Sequence, residues 1–253
     1  MGVLLSIIIP NYNSKQWWKR LLESIEAQTF KDYEVIIVDD ISTDGSYEDI
    51  ENYVCDKNHW YIYRNETKRL NGGTRNVGVS MAKGKYIMFM DCDDFFYSNN
   101  CLQLIADEIE KTHADLIRLP YHFISKHGER DMILHENTIE ELMKTIFVAP
   151  WTKCIKRELF KPFPEGTLLE DVSQHIEQID NIETIGYVNQ PIIVWNCLND
   201  NQVSKHDENP IRRASYWRVI GDLEQLDLKH DYSKEWQKAR LEQYYKIARE
   251  RLQ

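Results

Sequence analysis

The chain has 253 residues, 42% of them hydrophobic and 28% charged, the composition of an ordinary globular protein long enough to bury a large core. Its formal net charge of -10, with no clustered Lys/Arg stripe, excludes a nucleic-acid footprint, so an anionic substrate would need local positive charge or a metal ion. Five cysteines without Cys-x-x-Cys spacing exclude a disulfide framework or structural zinc site, and no apolar run reaches the length of a membrane helix.

Strands and amphipathic helices alternate through the first half. Leu4 to Ile9 is a continuous aliphatic run stopped by Pro10, and Trp18, Leu21, Leu22 and Ile25 then recur at helical spacing. Glu34 to Asp39 holds a second buried strand, Thr43-Asp44-Gly45 turns into a short helix near Tyr47 to Tyr53, and Trp60 to Tyr63 is a third strand. Gly73 to Met81 is expected to be helical and Tyr86 to Met90 the next strand, with Leu102, Ile105 and Ile109 the inner face of the helix after it. Beyond Asp115 the pattern changes. Leu116 to Phe123 and Met132 to Leu134 read as a hairpin around Lys126-His127-Gly128; Ile139, Leu142, Met143 and Ile146 mark one helix and Val172, His175, Ile176 and Ile179 another; Ile192 to Trp195 is a last strand. From Pro210 the chain is Trp-rich, charged and helical, with Leu241, Tyr244, Tyr245, Ala248 and Leu252 in one stripe.

This alternation predicts an α/β fold with a mainly parallel sheet flanked by helices, plus a C-terminal helical extension, divided as 1-208 and 209-253. Ligands of such sheets sit outside the carboxyl ends of the strands. Three strand ends are conspicuously polar: Pro10-Asn11-Tyr12-Asn13, Asp39-Asp40 and Asp91-Cys92-Asp93-Asp94. Parallel strands put all three on one rim. Like charges as close as Asp91, Asp93 and Asp94 raise one another's pKa unless a cation or hydrogen bonds relieve them, and hard divalent ions bridge carboxylates to phosphates. The same acids also suit the capping of a following helix, and residue chemistry alone leaves both readings open.

Taken together, Ser6 to Asn13, Val35 to Asp40 with Ser42 to Ser46, Gly73-Thr74-Arg75-Asn76-Val77-Gly78 and Gly84 to Asp94 resemble glycosyltransferase family 2. The likeness continues through Trp151-Thr152-Lys153 and Lys156 to Phe160 to Leu169-Glu170-Asp171, about four-fifths of the chain. The resemblance implies an inverting, hexosyl-type enzyme of the GT-A fold that takes sugar from a nucleotide diphosphate. It implies that Pro10, Tyr12, Asn13 and Asp40 hold the base, where an aromatic face suits a pyrimidine and a carboxylate suits the uracil imide, hence a UDP-sugar. Gly73 and Arg75 belong near the donor, with Arg75 bonding diphosphate or Asp93. Asp91, Cys92, Asp93 and Asp94 complete the donor site: Asp93 is expected on a divalent metal, Mn²⁺ or Mg²⁺, Asp91 on the ribose or the metal, and Asp94 towards the donor sugar. Asp171 is the expected catalytic base, kept ionised by the helix N-terminus, and Glu170 caps the helix or binds acceptor.

After Trp195 the pattern departs from its relatives, with Asn196 where many carry arginine, and Asp200, Ser204 and His206 fall in an expected lid where His206 is a further candidate metal ligand. The implied acceptor is a glycan or cell-surface polymer. The amino terminus has no signal-peptide pattern, so the expected setting is the cytoplasm, with peripheral contact at the inner membrane face. Two other functions fit parts of the pattern. A sugar nucleotidyltransferase shares a Gly/Thr/Arg loop, but directly after its first strand; a catalytically silent carbohydrate- or nucleotide-binding module would not need Asp91, Asp93 and Asp171 together.

Overall fold

The computed structural model describes residues 3-133, 138-145, 148-198 and 210-251, the side chain of 251 excepted. Aliphatic runs form the buried strands β1 (Leu5–Asn11), β2 (Tyr33–Asp39) and β4 (Tyr86–Phe89), and β3 (Trp60–Arg64) flanks β2 at the sheet edge. Helices α1 (Trp18–Glu26), α2 (Ser46–Val54), α3 (Leu70–Met81) and α4 (Cys101–Thr112) alternate with them. The short strand β5 (Phe95–Phe96) precedes α4, and β6 (Leu116–Arg118), β7 (Tyr121–Ser125), β8 (Gly128–Met132) and α5 (Ile139–Lys144) follow it. The chain then continues through β9 (Lys153–Lys156), α6 (Glu170–Asp180), β10 (Ile185–Tyr187) and β11 (Ile193–Asn196) to α7 (Pro210–Glu224) and α8 (Asp231–Arg251).

Among the described residues the strands form a seven-stranded sheet of order β10-β6-β9-β4-β1-β2-β3 and a four-stranded one of order β5-β11-β7-β8. The large sheet is parallel except for β9, which runs antiparallel to both β4 and β6. Period-two alternation along the strands sends Leu5, Ile7 and Ile9 into one core with Leu21, Ile25, Ile50, Leu102 and Ile105, and Ile8, Ile36, Val38 and Phe89 into the other. That second core also takes Val172 and Ile176 of α6, Val219 and Leu223 of α7, and Tyr244 and Ala248 of α8.

Three short strands, β5, β9 and β10, were not legible as apolar runs. The expected strand Leu116 to Phe123 is two strands in different sheets. Pro120 has no N–H to donate, so the ladder ends at Arg118 and restarts at Tyr121. The hairpin partner is β8 at Gly128–Met132 rather than Met132 to Leu134. Leu134, Ile146 and Leu252, expected on helix or strand faces, lie outside the described residues, as does the division at 208/209.

Candidate active site

Parallel pairing puts Asn11 opposite Asp39 and leaves the ends of β1, β2, β3 and β4 on one rim. Asn11, almost fully buried, is the hub of the rim. Its Nδ2 donates to Asp39 at 2.7 Å and Ser42 at 3.2 Å, and its Oδ1 accepts from Ser14 and from the Cys92 thiol. Asp39 also accepts from Ser42 N at 3.0 Å, so it bonds to backbone at the strand end. Asp40 is 3% exposed and ringed by donors: Asn65 Nδ2 at 2.9 Å, Arg69 N at 2.8 Å, Leu70 N at 2.9 Å and Lys68 Nζ at 3.3 Å. Tyr12 beside it is 51% exposed, and the Lys68 ammonium lies over its ring. A base stacking on that face of Tyr12 must displace Lys68. Asn13 holds the neighbouring loop, with its N–H donating to Ser42 Oγ at 3.0 Å and its Oδ1 accepting from Thr43 N at 2.8 Å.

The acidic turn follows β4. Cys92 donates its thiol to Pro10 O at 3.4 Å, tying this turn to the end of β1, and burial pushes that thiol far above its ordinary range. Asp94, 2% exposed, accepts from Asn196 N at 2.9 Å; burial first, then the charges of Asp93 and Asp91, raise its carboxyl well above the usual range. Asn196 thus anchors the entry to the segment that holds Asp200, Ser204 and His206, which lie outside the described residues. Asp91 and Asp93 are partly exposed on the rim.

Arg75 joins this turn to the second acidic pair. Fully enclosed, it donates from Nη2 to Asp91 at 2.8 Å and from Nη1 to Glu170 at 2.7 Å, so Asp91 and Glu170 take its two terminal nitrogens. Burial lowers the guanidinium's basicity, but the two carboxylates more than restore it. Glycines make the approach feasible: a Cβ on Gly72 would meet Glu170 Cγ and Pro164 O, both at 2.9 Å, and one on Gly73 would meet Arg69 Cβ at 2.9 Å. Glu170 therefore neither caps α6 through its side chain nor points freely outward.

Successive helical residues diverge by about 100°, so Asp171 faces elsewhere. Burial raises its carboxyl above the usual range, against the pull of Arg75, Lys153 and Arg212. The helix N-terminus does not outweigh desolvation here. Lys153, 1% exposed, donates to Val148 O at 2.9 Å and to His175 Nδ1 at 3.2 Å, while His175 Nε2–H donates to Leu142 O at 3.2 Å. Burial, then Lys153 and Arg118, hold His175 neutral well below its ordinary pKa.

Sequence reasoning missed Asn11 as the hub, Asn65 and Lys68 around Asp40, and Lys153 behind Asp171. Asn65 and Lys68 carried a signal, since they follow a fourth strand end on the same rim. Lys153 lay within a segment that carried the family likeness, but nothing in its spacing pointed to Asp171. Among the described residues no three His, Cys, Asp or Glu side chains form a ready cation cage. The donor set nonetheless fits a hard divalent ion that shares its shell with phosphate, because one or two carboxylates suffice there and Asp91 and Asp93 stand partly exposed at the end of β4.

The profile of glycosyl transferase family 2 matches residues 6–162. The glycosyltransferase GlyG of Streptococcus pneumoniae is 29% identical over 191 residues, 68% of this chain and 63% of GlyG. The poly(ribitol-phosphate) beta-N-acetylglucosaminyltransferase TarS of Staphylococcus aureus is 28% identical over 172 residues, 63% of this chain but only 29% of TarS. The chain thus spans less than two thirds of either relative. Among solved structures, TarS 1-349 with UDP-GlcNAc superposes with a TM-score of 0.77 at 22% identity, covering 96% of this chain and 72% of that one. A mannosyltransferase of Pyrobaculum calidifontis, solved with GDP-Man and Mn2+, gives a TM-score of 0.67 at 15% identity over 95% of this chain and 69% of that one. These likenesses establish the fold, GT-A.

Proposed function

The chain belongs to glycosyltransferase family 2, and from that premise we propose that it transfers a sugar, with inversion, from a UDP-sugar to a hydroxyl of a glycan or cell-surface polymer. The observation that carries the reading is the Arg75 bridge: one buried guanidinium holds Asp91 of the acidic turn and Glu170 beside Asp171 in a single unit. Diphosphate chemistry and proton removal thereby have fixed relative places. The relatives support the substrate classes. TarS was solved with UDP-GlcNAc and is named for a polymeric acceptor.

Tyr12 stacks the base once Lys68 has moved aside, and Asp40 then accepts the uracil imide proton in place of the Lys68 ammonium. Pro10, Asn13, Gly73 and Cys92 shape the walls against which the nucleotide lies. Asp93 and Asp91 hold a divalent ion, Mn²⁺ or Mg²⁺, which when bound offsets the charge of the departing diphosphate; His206 is a further candidate ligand. Asp94 faces the donor sugar. Asp171 takes the proton of the acceptor hydroxyl as its oxygen forms the new bond at the anomeric carbon, and the bond to the nucleotide diphosphate breaks on the opposite face. Desolvation raises the Asp171 carboxyl, which makes it a stronger base than a solvated aspartate. The enzyme works at the cytoplasmic face of the membrane, where nucleotide sugars meet nascent polymers; no described helix is long and apolar enough to cross it.

A thermal-shift screen of nucleotide sugars with Mn²⁺ identifies the donor, because a bound donor raises the melting temperature with its affinity. Asp171→Asn is then expected to lose UDP release while keeping the donor-induced shift. Normal turnover by that variant would remove Asp171 from the base role.

A further inference from the structure

The C-terminal helices α7 and α8 do more than cover an apolar face. Helix α7 and the connection between α7 and α8 are fastened to the two ends of α6, the helix that carries Asp171. Just before α6, Leu168 N donates to Ser215 Oγ of α7 at 2.9 Å, and Ser215, 2% exposed, donates on to Ile211 O at 2.8 Å. At the last residue of α6, Asp180 accepts from the backbone N–H groups of Lys229 at 2.6 Å and His230 at 3.1 Å, and from His230 Nδ1 at 2.9 Å. Between the two clamps Leu169, Val172, Ile176 and Ile179 share one core with Tyr216, Val219, Ile220, Leu223 and Tyr244. Apolar packing alone would let such a helix pair slide. Paired clamps at opposite ends of α6 fix its axial position and hence the place of its first turn.

The same two helices also present polar groups to that turn. The field of Asp171 reaches Arg212 of α7 and Arg240 and Tyr244 of α8. Arg240 is 8% exposed and is itself held by Gln243 Oε1 at 2.8 Å and Thr145 O at 3.3 Å, while Tyr244 lies 6.3 Å from the Tyr216 ring. Among the described residues, Arg75 of α3, Lys153 of β9 and Glu170 beside it also face Asp171. Arg75 is committed to Asp91 and Glu170, and Lys153 to carbonyls and His175.

We propose that α7 and α8 are part of the catalytic apparatus, with Ser215 and Asp180 fixing the base helix and thereby the orientation of Asp171, and Arg212, Arg240 and Tyr244 acting as positioning residues that complete its polar surroundings. The proposal rests on the reading of Asp171 as the base. Cations at this spot favour the carboxylate, so removing one raises the pH at which Asp171 ionises.

Two readouts on the full chain separate the proposal from that reading. The first needs no substrate: the difference in melting temperature between a chain and its Asp171→Asn counterpart, followed from pH 4 to 9. A carboxyl raised by folding costs stability once ionised, so the wild-type advantage is present at low pH and is lost as pH rises through the folded pKa. Arg212→Gln, at a half-exposed site, is expected to extend that loss to higher pH. The second is UDP release from UDP-GlcNAc with Mn²⁺, or from the donor the screen identifies. Its acid limb moves up in the same direction, so Arg212→Gln is slower than wild type on that limb and near wild type at high pH. Tyr244→Phe and Asp180→Asn lower kcat with KM for the donor unchanged. If neither profile moves in Arg212→Gln and kcat holds in Tyr244→Phe, the proposal is overturned. If the melting difference moves but the rate profile stays, the helices do face Asp171 yet Asp171 is not the base, and it is the functional reading that falls.

Discussion

Arg75 carries more of the site than any other single side chain. Its two carboxylate partners come from the acidic turn and from α6; without it Glu170 would be left buried and uncompensated, and the partly exposed Asp91 would lose its partner. Arg75→Met should therefore cost about 3–5 kcal/mol of stability, measured by urea unfolding, and abolish metal-dependent UDP binding. Arg75→Lys should recover little, because an ammonium cannot fork to both acids. Tyr12 is the opposite case, exposed and in contact with the Lys68 ammonium over its ring. Tyr12→Ala should leave stability unchanged and weaken UDP binding by about 1–3 kcal/mol, read by calorimetric titration. The sequence showed Asp91, Asp93 and Asp94 as a group because they are neighbours in the chain. It did not show the Arg75–Glu170 partnership, since a pair 95 residues apart leaves no local periodicity or spacing to read.

At the scale of elements, α3 is glycine-rich for contact rather than for helix formation. A Cβ on Gly78 would lie 2.5 Å from Ile8 Cγ2 and 3.5 Å from Val38 Cγ2, in the middle of the parallel sheet. Ala is the better helix former by about 1 kcal/mol, but overpacking costs about 1–3 kcal/mol. Gly78→Ala should thus destabilise or at best break even in urea unfolding, where propensity alone predicts a gain. Gly84 is stricter, with a Cβ placed 2.6 Å from Ser6 N and 2.8 Å from Leu5 C, backbone atoms that cannot rotate away. Long buried strands such as β1 and β2 were legible because both faces are apolar. The strands β9 and β10 were not, because Lys153–Lys156 and Ile185–Tyr187 are short and become strands only by pairing with β4 and β6.

For the whole molecule, the second core unites the sheet, α6 and the C-terminal helices, and a small polar network is buried within it. His175 is neutral there, donating to Leu142 O and accepting from Lys153. Its folded pKa lies well below 6.5 while the unfolded residue titrates normally, so the chain takes up a proton on unfolding as pH falls below about 6.5. Stability present above that pH is lost below it, at up to about 1.4 kcal/mol per pH unit. Glu170 and Asp171, raised by burial, pull the other way over the same range, so the test is the difference between wild type and His175→Gln. Urea unfolding at pH 7 and pH 5 should show the variant losing less stability on acidification than the wild type. Equal losses would mean that His175 is charged in the folded chain.

By itself the sequence determined the α/β alternation, the polar strand ends on one rim and the acids that gather there, because burial on both faces of a strand and charge at its end are written in consecutive residues. The tertiary structure decided what those acids touch. Arg75 bridging to Glu170, the saturated Asp40, the cations behind Asp171 and the clamps at Ser215 and Asp180 all join residues far apart in the chain. Such pairings follow from where whole elements pack, and packing is set by the summed shape of two cores rather than by any local stretch of sequence.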